Sequence, residues 1–173
     1  VGNRGEGWTV SRSTLKHERN SLGSSAGSLS LFNQLLKLAG GVVIDGKPAT
    51  AHPLIRDRLI RLEGYVQAHV CAGYYQLTKD SRNESSGHLT VMNKLIHTDI
   101  AQEISAIAAE IIGADGLLMP GETGMVAGEK RTADNRRWVN QIFSSLALAM
   151  GGGTSNIQRN VIAERGLGLP KAE

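Results

Sequence analysis

Aromatic residues are scarce in this sequence: Phe, Trp and Tyr make up 4% of its 173 residues, so leucine, isoleucine, valine and alanine must do the packing. Proline occurs only four times. Together these shortages point to helices rather than a β-sandwich. A single cysteine, Cys71, excludes an intrachain disulfide. Flanked by Val70 and Ala72, it is expected to pack as a small hydrophobe, and a lone thiol suits a reducing cytoplasm. No apolar run approaches the roughly 20 residues that cross a bilayer, so no membrane partner is expected. Nor is there a block of like charge, since 19 basic residues face 16 acidic ones. The densest basic group (Arg131, Arg136 and Arg137) suits a solvated helix start, which argues against a nucleic-acid partner. The mild positive balance would suit an anionic cofactor. The five histidines show no paired ligand spacing, and no metal site is expected.

What remains is a chain of ordinary globular composition, 40% hydrophobic and 20% charged, long enough for one domain with a core. Its N-terminus, from Val1 to Gly7, reads as a loop entered in mid-protein. From about residue 8 to 39 a seven-residue repeat places Trp8, Leu15, Leu22, Leu29 and Leu36 at one heptad position and Ser11, Glu18, Ser25 and Phe32 at the other. One long helix is the expectation, with Gly23 and Gly27 marking either a close approach or a kink. Gly40-Gly41 stops it, and 42–52 reads as a loop. Pro53 opens a second helix with the stripe Ile55, Leu59, Leu62, Val66, Val70, ending near Lys79. Tyr74-Tyr75 near its end suits packing within a bundle. A third helix carries Met92, Ile96, Ile100, Ile104, Ile107 and Ile111, and stops at Gly113-Ala114-Asp115-Gly116. A polar, glycine-containing loop then runs to about Ala133. A fourth helix spans about 135–149, and Gly151-Gly152-Gly153 breaks it. Thr154 or Ser155 can cap a last helix reaching about Arg165. The fold expected is all-α: an antiparallel four-helix bundle with an extra short C-terminal helix.

Two features could carry chemistry. Glu18 falls three residues after Leu15 and four before Leu22, which puts a carboxylate on the expected seam. Desolvation there would suit a general base; an ion pair with Arg12, Arg19 or another helix fits the same position. Gly151-Gly152-Gly153-Thr154 offers a flexible backbone followed at once by a helix start. Such a corner can hold an anion or let a flat ligand approach, and it can equally be a plain helix–turn–helix corner.

The stretch from Gly152-Gly153-Thr154-Ser155-Asn156 through Ile157-Gln158-Arg159-Asn160 to Gly166-Leu167-Gly168-Leu169-Pro170 resembles the C-terminal signature of acyl-CoA dehydrogenases. Gly5-Glu6-Gly7-Trp8, Thr14-Leu15 and His17-Glu18-Arg19 are similar to the first long helix of that family's C-terminal domain, and Gly113-Ala114-Asp115-Gly116 to a corner later in it. The resemblance runs the whole chain in order. It implies that 1–173 is the C-terminal helical domain alone, without the helical N-terminal and middle β domains.

The activity implied is α,β-dehydrogenation of an acyl-CoA thioester by a full-length enzyme, with FAD taking a hydride and a glutamate taking the α-proton. This chain alone would be inactive. Many members carry that glutamate where this chain has Gly152; others carry it on the first long helix in a Glu-Arg pair, which Glu18-Arg19 matches. The resemblance thus implies Glu18 as catalytic base. It implies Thr154, Ser155 and Asn156 as FAD contacts, and Gly152 and Gly153 as backbone near the thioester. Electron-transfer flavoprotein as acceptor and a homo- or hetero-oligomeric tetramer are also implied. The family's arginine–phenylalanine–glycine motif is not evident in 37–41. The resemblance is closer to a divergent bacterial branch that acts on bulky acyl groups and pairs unlike subunits. The missing motif leaves open a non-catalytic helical partner of an active homologue, and an acyl-CoA oxidase or flavin monooxygenase on the same scaffold stays open too.

Overall fold

The computed structural model describes residues 2–117 and 133–171; the side chains of Arg12, Ser13, Leu15, Lys16, Arg19, Asp115 and residues 133–136 lie outside the description. The loop expected up to Ala133 and Arg131 of the basic group lie largely or wholly outside the described residues. Among the described residues the chain is nearly all helix, as the aromatic-poor, aliphatic-rich composition requires.

The long helix expected from residue 8 to 39 is two helices, α1 (Gly7–Leu22) and α2 (Ser25–Gly41). Ser24 explains the break. It is extended, with φ −65° and ψ 113°, and its hydroxyl accepts the Gly27 N–H at 3.1 Å, capping α2. A heptad count cannot register a cap, because capping depends on one local hydrogen bond rather than on hydrophobic period. The core face of α2 is also rotated from the expected seam. Ser28, Phe32, Leu35 and Ala39 are buried at helical spacing, whereas Leu36 is exposed, as is Trp8 on α1.

Within the expected loop the chain makes a two-stranded hairpin, β1 (Val43–Ile44) with β2 (Lys47–Pro48), pairing Val43 with Pro48. Asp45 and Gly46 both have positive φ, 51° and 77°, the backbone of a tight hairpin turn. α3 (Pro53–Ser81) follows, with Ile55, Leu59, Leu62, Val66 and His69 buried. Beyond His69 its inward positions are Gly73, against Ser25, and Gln76, which donates to Thr90. Cys71, Tyr74 and Tyr75 therefore point outward, and the packing expected of them is not found: all three are exposed.

α4 (Gly87–Ile112) is the central helix. It is buried on several sides, from Leu89 and Asn93 through Ile104 to Ile111, as a helix surrounded by others should be. Arg58 near the start of α3 pairs with Glu103 at 2.8 Å and Glu110 at 2.7 Å near the end of α4, so the two run antiparallel. Gly113, at φ 57°, ends α4. α5 (Ala133–Met150) lays Trp138 and Val139 into the core, and the short α6 (Ser155–Val161) continues as a π-helical turn, Ile162–Gly166. α2 to α5 thus form the four-helix bundle, with α1 and α6 at one end.

Candidate functional site

At that end the chain turns from α5 into α6 through Gly151-Gly152-Gly153. Gly152 and Gly153 have φ 65° and 100°, left-handed backbone that favours glycine. A Cβ on Gly153 would lie 2.7 Å from Gln158 Nε2, so a side chain there would have to displace that amide. Freely rotating glycines would leave this corner undefined, but three side chains from three helices hold it. Glu18 Oε1, from α1, accepts the Gly152 N–H at 3.1 Å. Gln158 Nε2, from α6, donates to the Gly152 carbonyl at 2.5 Å and the Gly153 carbonyl at 3.3 Å. Lys94 Nζ, from α4, donates to the Gly153 carbonyl at 2.9 Å. Lys94 and Gln158 are fully buried.

The structure brings Glu18, Gly152 and Gly153 together, as a shared site requires. It does not bury Glu18, which is exposed while Leu22 beside it is half-buried. The desolvated seam position expected from the heptad is corrected accordingly: α1 lies at the end of the bundle, where the described residues leave Glu18 exposed. Arg12 and Arg19, the ion-pair partners considered for Glu18, have side chains outside the description, and His17 is exposed. Thr154 and Asn156 are exposed and Ser155 half-buried. Thr154 occupies the N-cap position of α6 but makes no side-chain capping bond, and Asn156 Oδ1 accepts from Arg159 at 3.5 Å.

Sequence reasoning missed Lys94 and Gln158. The available signal was a lysine on the inward face of an apolar helix, ten residues before Ile104. It also missed a largely buried cluster one turn further along α4. Ser28 Oγ lies 2.9 Å from His69 Nδ1 and 2.6 Å from His97 Nδ1. A hydroxyl has one proton, so at least one ring must donate its Nδ1–H to Ser28. Burial, then repulsion from His69 and Lys94, pushes His97 down to about 4. Burial also lowers His69, with a smaller opposing effect from the Gly23 backbone; among the described residues its Nε2 has no partner in hydrogen-bonding geometry. Among the described residues no group of three His, Cys, Asp or Glu side chains could hold a metal ion, and no helix is long and apolar enough to cross a membrane.

An all-helical bundle that presents a carboxylate and a braced glycine corner at one exposed end is the class of domain these features define. Residues 5–167 match the family model for the acyl-CoA dehydrogenase C-terminal domain, and the chain belongs to that family. Acyl-CoA dehydrogenase IpdE1 of Mycolicibacterium smegmatis is 31% identical over 173 residues, covering 99% of this chain and 39% of the relative. The chain thus spans well under half the length of the curated relatives it matches. A solved structure described as an FAD-dependent dehydrogenase superposes with a TM-score of 0.76 at 22% identity, covering 98% of this chain and 42% of that one. The Tcur3481-Tcur3483 steroid ACAD superposes at 0.74 and 22% identity, over 99% and 42%. At such identities both show the fold.

Proposed function

We propose that this chain is the C-terminal domain of an FAD-dependent acyl-CoA dehydrogenase, and that Glu18 is its base. The observation that carries this reading is the hydrogen bond from the Gly152 N–H to Glu18 Oε1. By resemblance, position 152 is where many members keep their glutamate, so a carboxylate reaching it from α1 stands in for the missing side chain. Glu18 would take the α-proton of the acyl-CoA thioester, and only together with loss of the β-hydrogen as hydride would this give the α,β-unsaturated thioester. Bound FAD would accept the β-hydrogen as hydride. The backbone of Gly152 and Gly153, with no side chain in the way, would lie along the thioester. The corner holds both fixed, and alignment of base and carbon is a large part of the rate such a site can supply.

The residues present fit the cofactor. Thr154 and Asn156 offer exposed polar side chains beside the glycine corner, and the Thr154 hydroxyl is not used as a cap. They would hold FAD together with Ser155, while the exposure of Glu18 fits a site whose cover comes from another domain or subunit. An oligomer of like domains, with electron-transfer flavoprotein as acceptor, belongs to the same reading. The solved steroid ACAD, named for two components, supports a bulky acyl group and paired unlike subunits.

A second reading is a non-catalytic helical partner of an active homologue, favoured by the absence of an arginine–phenylalanine–glycine motif in residues 37–41. The visible spectrum of the purified full-length protein separates the two. Stoichiometric oxidised flavin that bleaches anaerobically with acyl-CoA supports the enzyme. A colourless, folded protein that assembles with an active homologue supports the partner.

A further inference from the structure

Lys94 is fully buried on α4, yet nothing about filling its space calls for an ammonium. Removing a charge from water is costly, and a methionine would fill much the same volume without that cost. What the charge does show is a direction: Nζ donates to the Gly153 carbonyl at 2.9 Å. The corner contains three successive peptide planes, and each is held by a different helix. Glu18 holds the N–H of the 151–152 plane, and Gln158 holds the carbonyl of the 152–153 plane. Lys94, with Gln158 at longer range, holds the carbonyl of the 153–154 plane. Gly152 and Gly153 carry no Cβ, so only hydrogen bonds fix their positive φ. Without Lys94 the last plane keeps only the longer Gln158 contact, so it can tilt and carry the adjoining Gly152–Gly153 plane with it.

We infer that Lys94 is a positioning residue, which orients the Gly152–Gly153 backbone so that the Gly152 N–H and the Glu18 carboxylate keep their mutual geometry. Its described contact is with the corner, through the Gly153 carbonyl. The inference rests on Glu18 being the base, and the test separates the two claims.

The experiment is a double-mutant cycle in the full-length flavoprotein, with Glu18→Gln, Lys94→Met and both together, read as kcat and KM for acyl-CoA. Lys94→Met is expected to lower kcat by about 10- to 100-fold, the scale of a misplacement near 1 Å, with KM within about threefold and the flavin spectrum retained. In the Glu18→Gln background the same substitution is expected to change kcat by less than about threefold, because the geometry it sets no longer serves a base. Lys94→Gln keeps a carbonyl donor and should recover part of the loss. Wild-type kcat in Lys94→Met overturns the inference, as does a full multiplicative loss in the double variant. Failure of both Lys94→Met and Lys94→Gln to yield folded flavoprotein also overturns it, since it assigns the ammonium to stability. Wild-type turnover in Glu18→Gln alone removes the base reading itself, and is read from that single variant.

Discussion

Glu18 and Gly152 are 134 residues apart in sequence, and the Glu18 carboxylate accepts the Gly152 N–H at 3.1 Å. The contact joins α1 to the turn between α5 and α6, so it exists only after the bundle has closed. A Cβ on neighbouring Gly151 would lie 3.9 Å from the same oxygen, ordinary van der Waals contact. The carboxylate therefore lies against the glycine run itself, with no side chain between them.

Substituting Glu18 by glutamine keeps the size of the side chain and its ability to accept from Gly152, but removes the capacity to take a proton. General-base catalysis contributes roughly 10²- to 10⁴-fold. Turnover of the full-length protein should fall at least a hundredfold, with flavin still bound. Near-normal turnover would falsify the assignment. Loss of flavin or of folding would assign the carboxylate to holding the corner.

A glutamate restored at Gly152 in the Glu18→Gln background should rescue turnover only in part. It would reach the same carbon, but Gly152 has φ 65° and is buried. A side chain in left-handed backbone costs about 1–2 kcal/mol, and the displaced corner would misalign the new base. Gly152→Ala isolates that cost and should lower the unfolding free energy by a similar amount. If Gly152→Glu gave no recovery while folding normally, the two positions would not address one α-carbon.

Hydrophobic period made α3 and α4 legible because each buries an aliphatic stripe, Ile55 to Val66 and Ile100 to Ile111, while α5 was legible from the glycine run that ends it. The period failed between α1 and α2, where Ser24 decides the break by a hydrogen bond that carries no hydrophobic signature. Glu18 was marked by its place on a heptad seam, yet it is exposed. What ties it to the corner is a contact across most of the chain, which no local pattern encodes. The glycine run was legible as a corner, and its bracing by Lys94 and Gln158 was not. A polar side chain on an inward helix face reveals that it needs a partner, but not which carbonyl it will find.

Gly64 offers a prediction on stability alone. It lies within α3, is exposed, and has nothing within 4 Å of where a Cβ would stand. Glycine in a helix interior is roughly 0.5–1 kcal/mol less favourable than alanine. Gly64→Ala should therefore raise the melting temperature of this chain by about 1–4 °C, given its size. A lower melting temperature would mean that the open face at Gly64 is packed against something in solution.

The two histidines that meet at Ser28 set a pH dependence whose sign can be worked out. His97 titrates at about 4 in the folded chain against an ordinary 6.5, and His69 is shifted in the same direction. The groups around them are Ser28 from α2, His69 from α3, and Lys94 on His97's own helix. Above pH 6.5 both states hold these rings neutral, and the pair adds no slope. As pH falls below 6.5 the unfolded chain binds protons that the folded chain refuses, so stability is lost down to about pH 4. One fully shifted histidine gives at most about 1.4 kcal/mol per pH unit, and partial solvent access reduces this. Denaturant unfolding should show a loss on the order of 1–2 kcal/mol between about pH 6.5 and 5. His97→Gln keeps a polar partner for Ser28 without a titrating ring, and should flatten most of that slope while lowering stability at pH 7. An unchanged slope in His97→Gln would mean that other groups carry the pH dependence. A slope of opposite sign would mean that the rings are charged in the folded chain, with Ser28 accepting from both.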